Sequence, residues 1–141
     1  MPANIQRFLD AQQRDYATAL SEIRAGRKRS HWVWYIFPQL QGLGYSETAR
    51  FYAIQSRQEA EAYLHHPVLG PRMREISAVL LMLDGTDATR IMGSPDDLKL
   101  RSSMTLFAAL EGADPVFQQV LDKFFGGEPD EKTLQILQQN P

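Results

Sequence analysis

Apolar side chains along this chain recur mostly three or four positions apart, the period of helices that bury one face. From Asn4 onward Ile5, Phe8, Leu9, Tyr16, Ala19, Leu20 and Ile23 follow it, and Gly26 supplies a stop. The spacing predicts one long amphipathic helix, with a break allowed near Asp10. Ser30 is placed to cap the run His31-Trp32-Val33-Trp34-Tyr35-Ile36-Phe37, which Pro38 must end because proline disfavours helical geometry in the residue before it. That run is too short for its period to separate a buried helix from a strand.

The polar punctuation is clearer further on. Gly42-Leu43-Gly44 reads as a turn before a helix starting near Ser46. Ser56 and Glu59 have the spacing of a capping box and open a segment through Ala60, Tyr63 and Leu64 that His66-Pro67 closes. Pro71 suits the first turn of a helix carrying Met73, Ile76, Val79, Leu80 and Leu83, stopped by Gly85. A short segment from Thr86 to Met92 ends at Gly93. Ser94-Pro95-Asp96-Asp97 combines a capping hydroxyl, a first-turn proline and carboxylates that complement the helix dipole, predicting a helix to about Glu111. Asp114-Pro115 repeats the device before Val116, Phe117, Val120, Leu121, Phe124 and Phe125, with Gly126-Gly127 as terminator, and Asp130 opens a last helix to about Gln139. No stretch alternates like a strand, no period repeats and no linker separates the parts. The expectation is an all-α fold, a compact single domain over residues 1–141 with about seven to nine helices.

Composition narrows the function classes. At 141 residues the chain can bury roughly 70% of its unfolded surface. Its 43% apolar and 23% charged residues are globular rather than disordered values. The net charge of −2 provides no general field for nucleic acid, which is not expected as a partner. The absence of cysteine excludes thiolate nucleophiles, disulfides and cysteine zinc sites. The longest apolar runs, Trp32 to Phe37 and Ala78 to Leu83, fall short of the about 20 residues a bilayer span needs, and the amino terminus lacks signal-peptide character. Cytoplasmic residence with no membrane contact follows as an expectation.

A set of unusual strings then lines up: Gly26-Arg27-Lys28-Arg29-Ser30-His31-Trp32-Val33-Trp34, Phe37-Pro38-Gln39-Leu40, Gly42-Leu43-Gly44, His66-Pro67-Val68-Leu69-Gly70, and Gly93-Ser94-Pro95-Asp96-Asp97-Leu98-Lys99-Leu100-Arg101-Ser102-Ser103-Met104-Thr105-Leu106-Phe107. Together they resemble the mainly bacterial family called domain-of-unknown-function 1810, over Ile5 to Leu137. The resemblance implies an all-helical fold and brings no activity. Members often carry the label calpastatin, a long flexible protease inhibitor with repeated inhibitory segments. This chain has no repeats and a core-sized apolar inventory, so protease inhibition is not carried over.

Candidate chemistry centres on His31 to Gln39, where two tryptophans, a tyrosine and a phenylalanine sit between polar ends. The plainer reading makes these aromatics core. Gly42-Leu43-Gly44 leaves amides for a phosphate, but Glu47 would place a carboxylate where the anion should sit, which favours a simple turn. Asp96 and Asp97 read as first-turn stabilisers, with Asp96 and Lys99 spaced as a surface pair. Arg27-Lys28-Arg29, with Arg24 one turn back, reads as cations complementing a helix carboxyl end. His31, His65 and His66 lack paired-ligand spacing, Glu61 and His65 read as a surface pair, and no metal or cofactor is expected. There is no G-x-S-x-G elbow, and Ser102 and Ser103 have no base nearby in sequence.

Two functional expectations follow. The first is a small anionic or nucleotide-like metabolite bound in a pocket of His31, Trp34, Gln39, Arg50, His66, Arg72, Lys99 and Arg101, where aromatics stack a base, cations meet phosphate, and His31 or His66 serves if a reaction is catalysed. The alternative is a noncatalytic module whose helices present a groove or an apolar face to a protein partner. A polar-lined pocket favours the first, and a contiguous exposed apolar patch the second.

Overall fold

The computed structural model describes residues 4–139, which form nine helices and no strand. Helix α1 spans Gln6–Arg24, α2 Val33–Ile36, α3 Glu47–Tyr52, α4 Arg57–His65 and α5 Leu69–Met82. Then come α6 Ala88–Met92, α7 Asp96–Ala108, α8 Pro115–Phe125 and α9 Glu131–Gln139. The fold is all-α, and its buried apolar side chains form one cluster running from Phe8 to Leu137. Among the described residues no helix is long and apolar enough to cross a membrane.

Helix α1 passes Asp10 unbroken, with Gln6 donating to the Asp10 carboxylate across one turn at 2.8 Å. Its inner face buries Phe8, Ala11, Ala19 and Ile23 against α5, and Gly26 leaves the helix at φ 79. Helix α5 packs on α8, and α8 on α7. Helix α7 is the centre of the fold, touched also by α2, α6 and α9. Six consecutive residues, Ser102 to Phe107, are buried, so α7 has no solvent face over that stretch. Hydroxyls there need acceptors, and Ser102 and Thr105 donate to the carbonyls of Leu98 and Arg101 one turn back, at 3.1 and 2.8 Å. Thr105 also accepts the Asp130 amide at 2.8 Å, and Asp130 caps α9 through the amide and hydroxyl of Thr133.

Half-buried Lys123 and the buried Arg7–Glu59 pair organise the periphery. The Lys123 ammonium donates to the carbonyls of Leu80 at 3.1 Å, of Leu81 at 3.0 Å, and of Leu83, and so closes the carboxyl end of α5. Arg7 and Glu59 form an ion pair of 2.9 Å in which each side chain is 6% exposed. Arg7 also donates to the carbonyls of Phe51 and Ala53, at 2.9 and 2.8 Å, and so holds the end of α3, a helix that buries none of its own residues.

Ser46, Ser56 and Asp114 cap α3, α4 and α8 as the sequence predicts. Two expected caps fail. Helix α2 is a single turn beginning at Val33, so Trp32 rather than Ser30 holds the cap position and no side chain caps it; the Ser30 hydroxyl donates instead to Glu22 at 2.6 Å. Helix α7 begins after Pro95, which follows a cis bond from Ser94 and sits in the cap position without a side-chain hydrogen bond. It ends at Ala108 rather than Glu111. The only β feature among the described residues is an isolated parallel bridge between Leu40 and Ile54.

Candidate functional site

The aromatic segment is oriented by a carboxylate the sequence did not single out. Glu22, near the end of α1, accepts hydrogen bonds from the amides of Arg29 and Ser30, at 2.7 and 3.0 Å, the Ser30 hydroxyl, and the Trp32 indole at 2.9 Å. Burial alone would raise its pKa, but the donors outweigh burial and hold the carboxyl at about 2 against an ordinary 4.5. A second tie comes from Gln12, whose amide donates to the Tyr35 carbonyl at 2.7 Å and to the Tyr63 hydroxyl at 2.8 Å.

A folded-state pKa below the unfolded one stabilises the protein above the unfolded value, and that stability is lost as pH falls through the folded one. Glu22→Gln is therefore expected to cost about 2 kcal/mol at pH 7, discounted for partial solvation. The difference from wild type should shrink between about pH 5 and pH 2. Urea unfolding at pH 7 and pH 3 checks this, and a gap that stays constant would deny the carboxylate its role.

With Trp32 fixed inside the core, Trp34 one position from the buried Tyr35 is left partly exposed. Lys99 lies 5.1 Å from its ring centroid and 3.1 Å from Asp96. The other Asp96 oxygen takes Lys28 at 2.8 Å, and Lys28 in turn lies 5.3 Å from the Trp32 ring. Burial would raise the Asp96 carboxyl, but the two lysines hold it below the usual range. Lys28 is therefore committed to the start of α7 rather than to the dipole of α1, where Arg24 is the last-turn cation. This corrects the expectation for the basic run, because a side-chain partner distant in sequence outcompetes the helix end.

Trp34 and Gln39 also line a crevice with Leu40, Gly44, Tyr52 and Ala53 of about 10 Å³, room for no more than a water. Sharing Gly44 and Ala53 with it is an open cleft of about 410 Å³, lined further by Gln41, Gly42, Tyr45, Arg50 and Gln55. The cleft wall is shaped by two glycines with different reasons. Gly42 has φ +94, and a Cβ on Gly44 would lie 2.6 Å from that of Ala49. The Leu40–Ile54 bridge closes the base, with the Gln41 amide donating to Ile54 and the Ile54 amide to Gln39, both at 2.8 Å. Tyr45 is 72% exposed. Among the described residues the Arg50 guanidinium has no ion pair, side-chain hydrogen bond or ring contact.

The structure thus brings Trp34, Gln39, Arg50 and Lys99 to one side of the molecule, linked through Trp34, Gly44 and Ala53. The other predicted residues are engaged elsewhere. His66 accepts the amides of Val68 and Leu69 on Nδ1, at 3.1 and 3.3 Å, and so caps α5. Arg72 lies 5.0 Å over the Tyr16 ring. Arg101 donates to the Glu128 carbonyl at 2.9 Å and lies 5.9 Å from the Phe125 ring. His31 is exposed, and its carbonyl accepts the Tyr35 hydroxyl at 3.3 Å. None of these four lines the cleft. Among the described residues no three His, Cys, Asp or Glu side chains gather as a metal site. Sequence reasoning missed Tyr45, Gln41 and Gln55. The exposed tyrosine between a glycine turn and a serine cap was the available signal.

A family model described as "Protein of unknown function (DUF1810)" matches residues 2–137. A crystal structure of the conserved hypothetical protein Rv1873 from Mycobacterium tuberculosis is similar along 98% of this chain and 99% of that one. The two share 46% sequence identity and a TM-score of 0.95. No curated protein matches.

Proposed function

Because the chain belongs to the DUF1810 family of proteins of unknown function, its role has to be argued from its own surface, and we propose that it binds a small anionic, nucleotide-like metabolite in the cleft of Tyr45 and Arg50. The observation that carries this reading is the unpaired Arg50 guanidinium on the wall of a 410 Å³ cleft. That volume lies within the range of small-ligand sites, and a guanidinium presents a planar fork to phosphate or carboxylate oxygens. The Tyr45 ring offers a stacking face for a base, and Gln41 and Gln55 offer amides to fix its orientation. Lys99, held over Trp34, adds positive potential beside the crevice. Neither His31 nor His66 lines the cleft, so the proposal is binding and assigns no reaction. We place this activity in the cytoplasm, in keeping with a cysteine-free chain.

Thermal unfolding against nucleoside phosphates and inorganic phosphate tests the reading. A ligand at 100 times its dissociation constant should stabilise the protein by about 2.7 kcal/mol. Arg50→Ala should abolish that shift while leaving the ligand-free transition within about 0.5 kcal/mol, since Arg50 supports nothing else. A flat response, or a shift indifferent to Arg50→Ala, rejects the proposal. A protein partner is the second reading, favoured by Tyr45 and Phe51 standing 72% and 58% exposed on either side of Arg50.

A further inference from the structure

A different cavity, of about 250 Å³, lies where α4 and α5 meet the turn between α7 and α8. Its wall carries Glu61 and His65 from α4, Arg74 from α5 and Glu111 from the turn, with Leu64 and Ala113 as its accessible apolar lining. Among the described residues none of these charged side chains makes an ion pair or side-chain hydrogen bond within the chain. Opposite charges on one small cavity would gain by pairing, yet Arg74 is bridged to neither glutamate. The fifth ionisable group, Asp114, is already used in capping α8 through the Val116 amide at 2.9 Å.

We propose that this cavity binds a zwitterionic α-amino acid with an apolar side chain. A ligand with an anionic and a cationic end joined by a short apolar body answers the guanidinium, the two glutamates and the apolar lining together. Its carboxylate meets the Arg74 guanidinium in a forked contact, its ammonium lies between Glu61 and Glu111, and its side chain covers Leu64 and Ala113. A cavity below the about 300 Å³ at which sites for drug-sized ligands begin suits a ligand of amino-acid size. A plain anion would leave the glutamates unanswered, and a plain amine would leave Arg74 so.

The experiment is an amide-resolved NMR titration of the full chain with L-leucine and L-phenylalanine up to about 10 mM. Saturable shifts should appear at Leu64, Arg74 and Gly112, and be absent at Tyr45 and Arg50. Leucinamide and N-acetyl-leucine each lack one charge and should bind at least about tenfold more weakly. Arg74→Gln and Glu111→Gln should each weaken binding about tenfold or more. Both residues are at least partly solvent-facing, so folding is retained and is checked by the dispersion of the same spectra. Arg50→Ala should bind leucine as wild type does, which separates this site from the nucleotide cleft. No saturable shift, or equal binding of the singly charged analogues, overturns the proposal.

Discussion

Gly70→Ala is expected to destabilise the protein by about 3 kcal/mol, and to lower its melting temperature by roughly 10 °C. Helix propensity points the other way, since alanine is favoured over glycine inside a helix by about 1 kcal/mol. The reason for the reversal is the approach of α4 to α5. A Cβ on Gly70 would lie 2.1 Å from the carbonyl oxygen of Leu64 and 3.0 Å from its carbon. Both are backbone atoms of the last turn of α4, so no rotamer change relieves the contact and the helices must separate. Their separation also strains the bond from the Gly70 amide to the His66 carbonyl, now 3.0 Å. Gly85→Ala is the matched control, because a Cβ there meets nothing within 4 Å. That variant should be neutral or gain up to about 1 kcal/mol. Urea unfolding of both decides the matter, and equal midpoints would show that the α4–α5 approach is not a constraint.

Truncating either partner of the buried ion pair should cost about 3 to 5 kcal/mol. Arg7→Leu leaves Glu59 buried among the Gln55 amide at 2.9 Å and apolar neighbours, while Glu59→Leu leaves a guanidinium with carbonyls only. Joined replacement removes both charges, so the double variant should lose clearly less than the sum of the singles. It will not regain wild-type stability, because the Phe51 and Ala53 carbonyls lose their donor. Chemical denaturation of the four proteins in this cycle supplies the coupling. Strict additivity would mean that the two side chains act independently despite their 2.9 Å contact.

Helix boundaries set by local chemistry were legible in the sequence. Ser46, Ser56 and Asp114 each bond an amide within three residues, and Gly126 takes the left-handed conformation after α8. The Ser56–Glu59 pair was legible in spacing but not in use. Ser56 caps as expected, whereas the Glu59 carboxylate turns to the Gln55 amide and Arg7. Ser30 misled because α2 starts only at Val33, while Glu22 holds Ser30 across the α1–α2 loop, and no local pattern records that. The late end expected for α7 reflects the lack of a glycine before Gly112, although the chain leaves the helix at Ala109. In the aromatic segment Trp32, Tyr35 and Phe37 are core, as the plainer reading has it, while Trp34 stands partly exposed. Which cations would meet Trp34 depended on the packing of α2 against α7, a contact between segments some sixty residues apart on the chain that periodicity cannot encode.

The central place of α7 bears on how the protein is made. On the ribosome α1 to α6 emerge before α7, so Tyr63 must wait for Phe107, whose ring stands 5.4 Å away in the finished fold. Phe107 in turn waits for Phe117, at 5.9 Å. At about 5–20 residues per second, the stretch from α6 to the end of α8 takes a few seconds to synthesise. During that interval α1, α4 and α5 have one another to pack on, but the Tyr63 ring still lacks Phe107. Closing the aromatic column is therefore an event of the second half of synthesis.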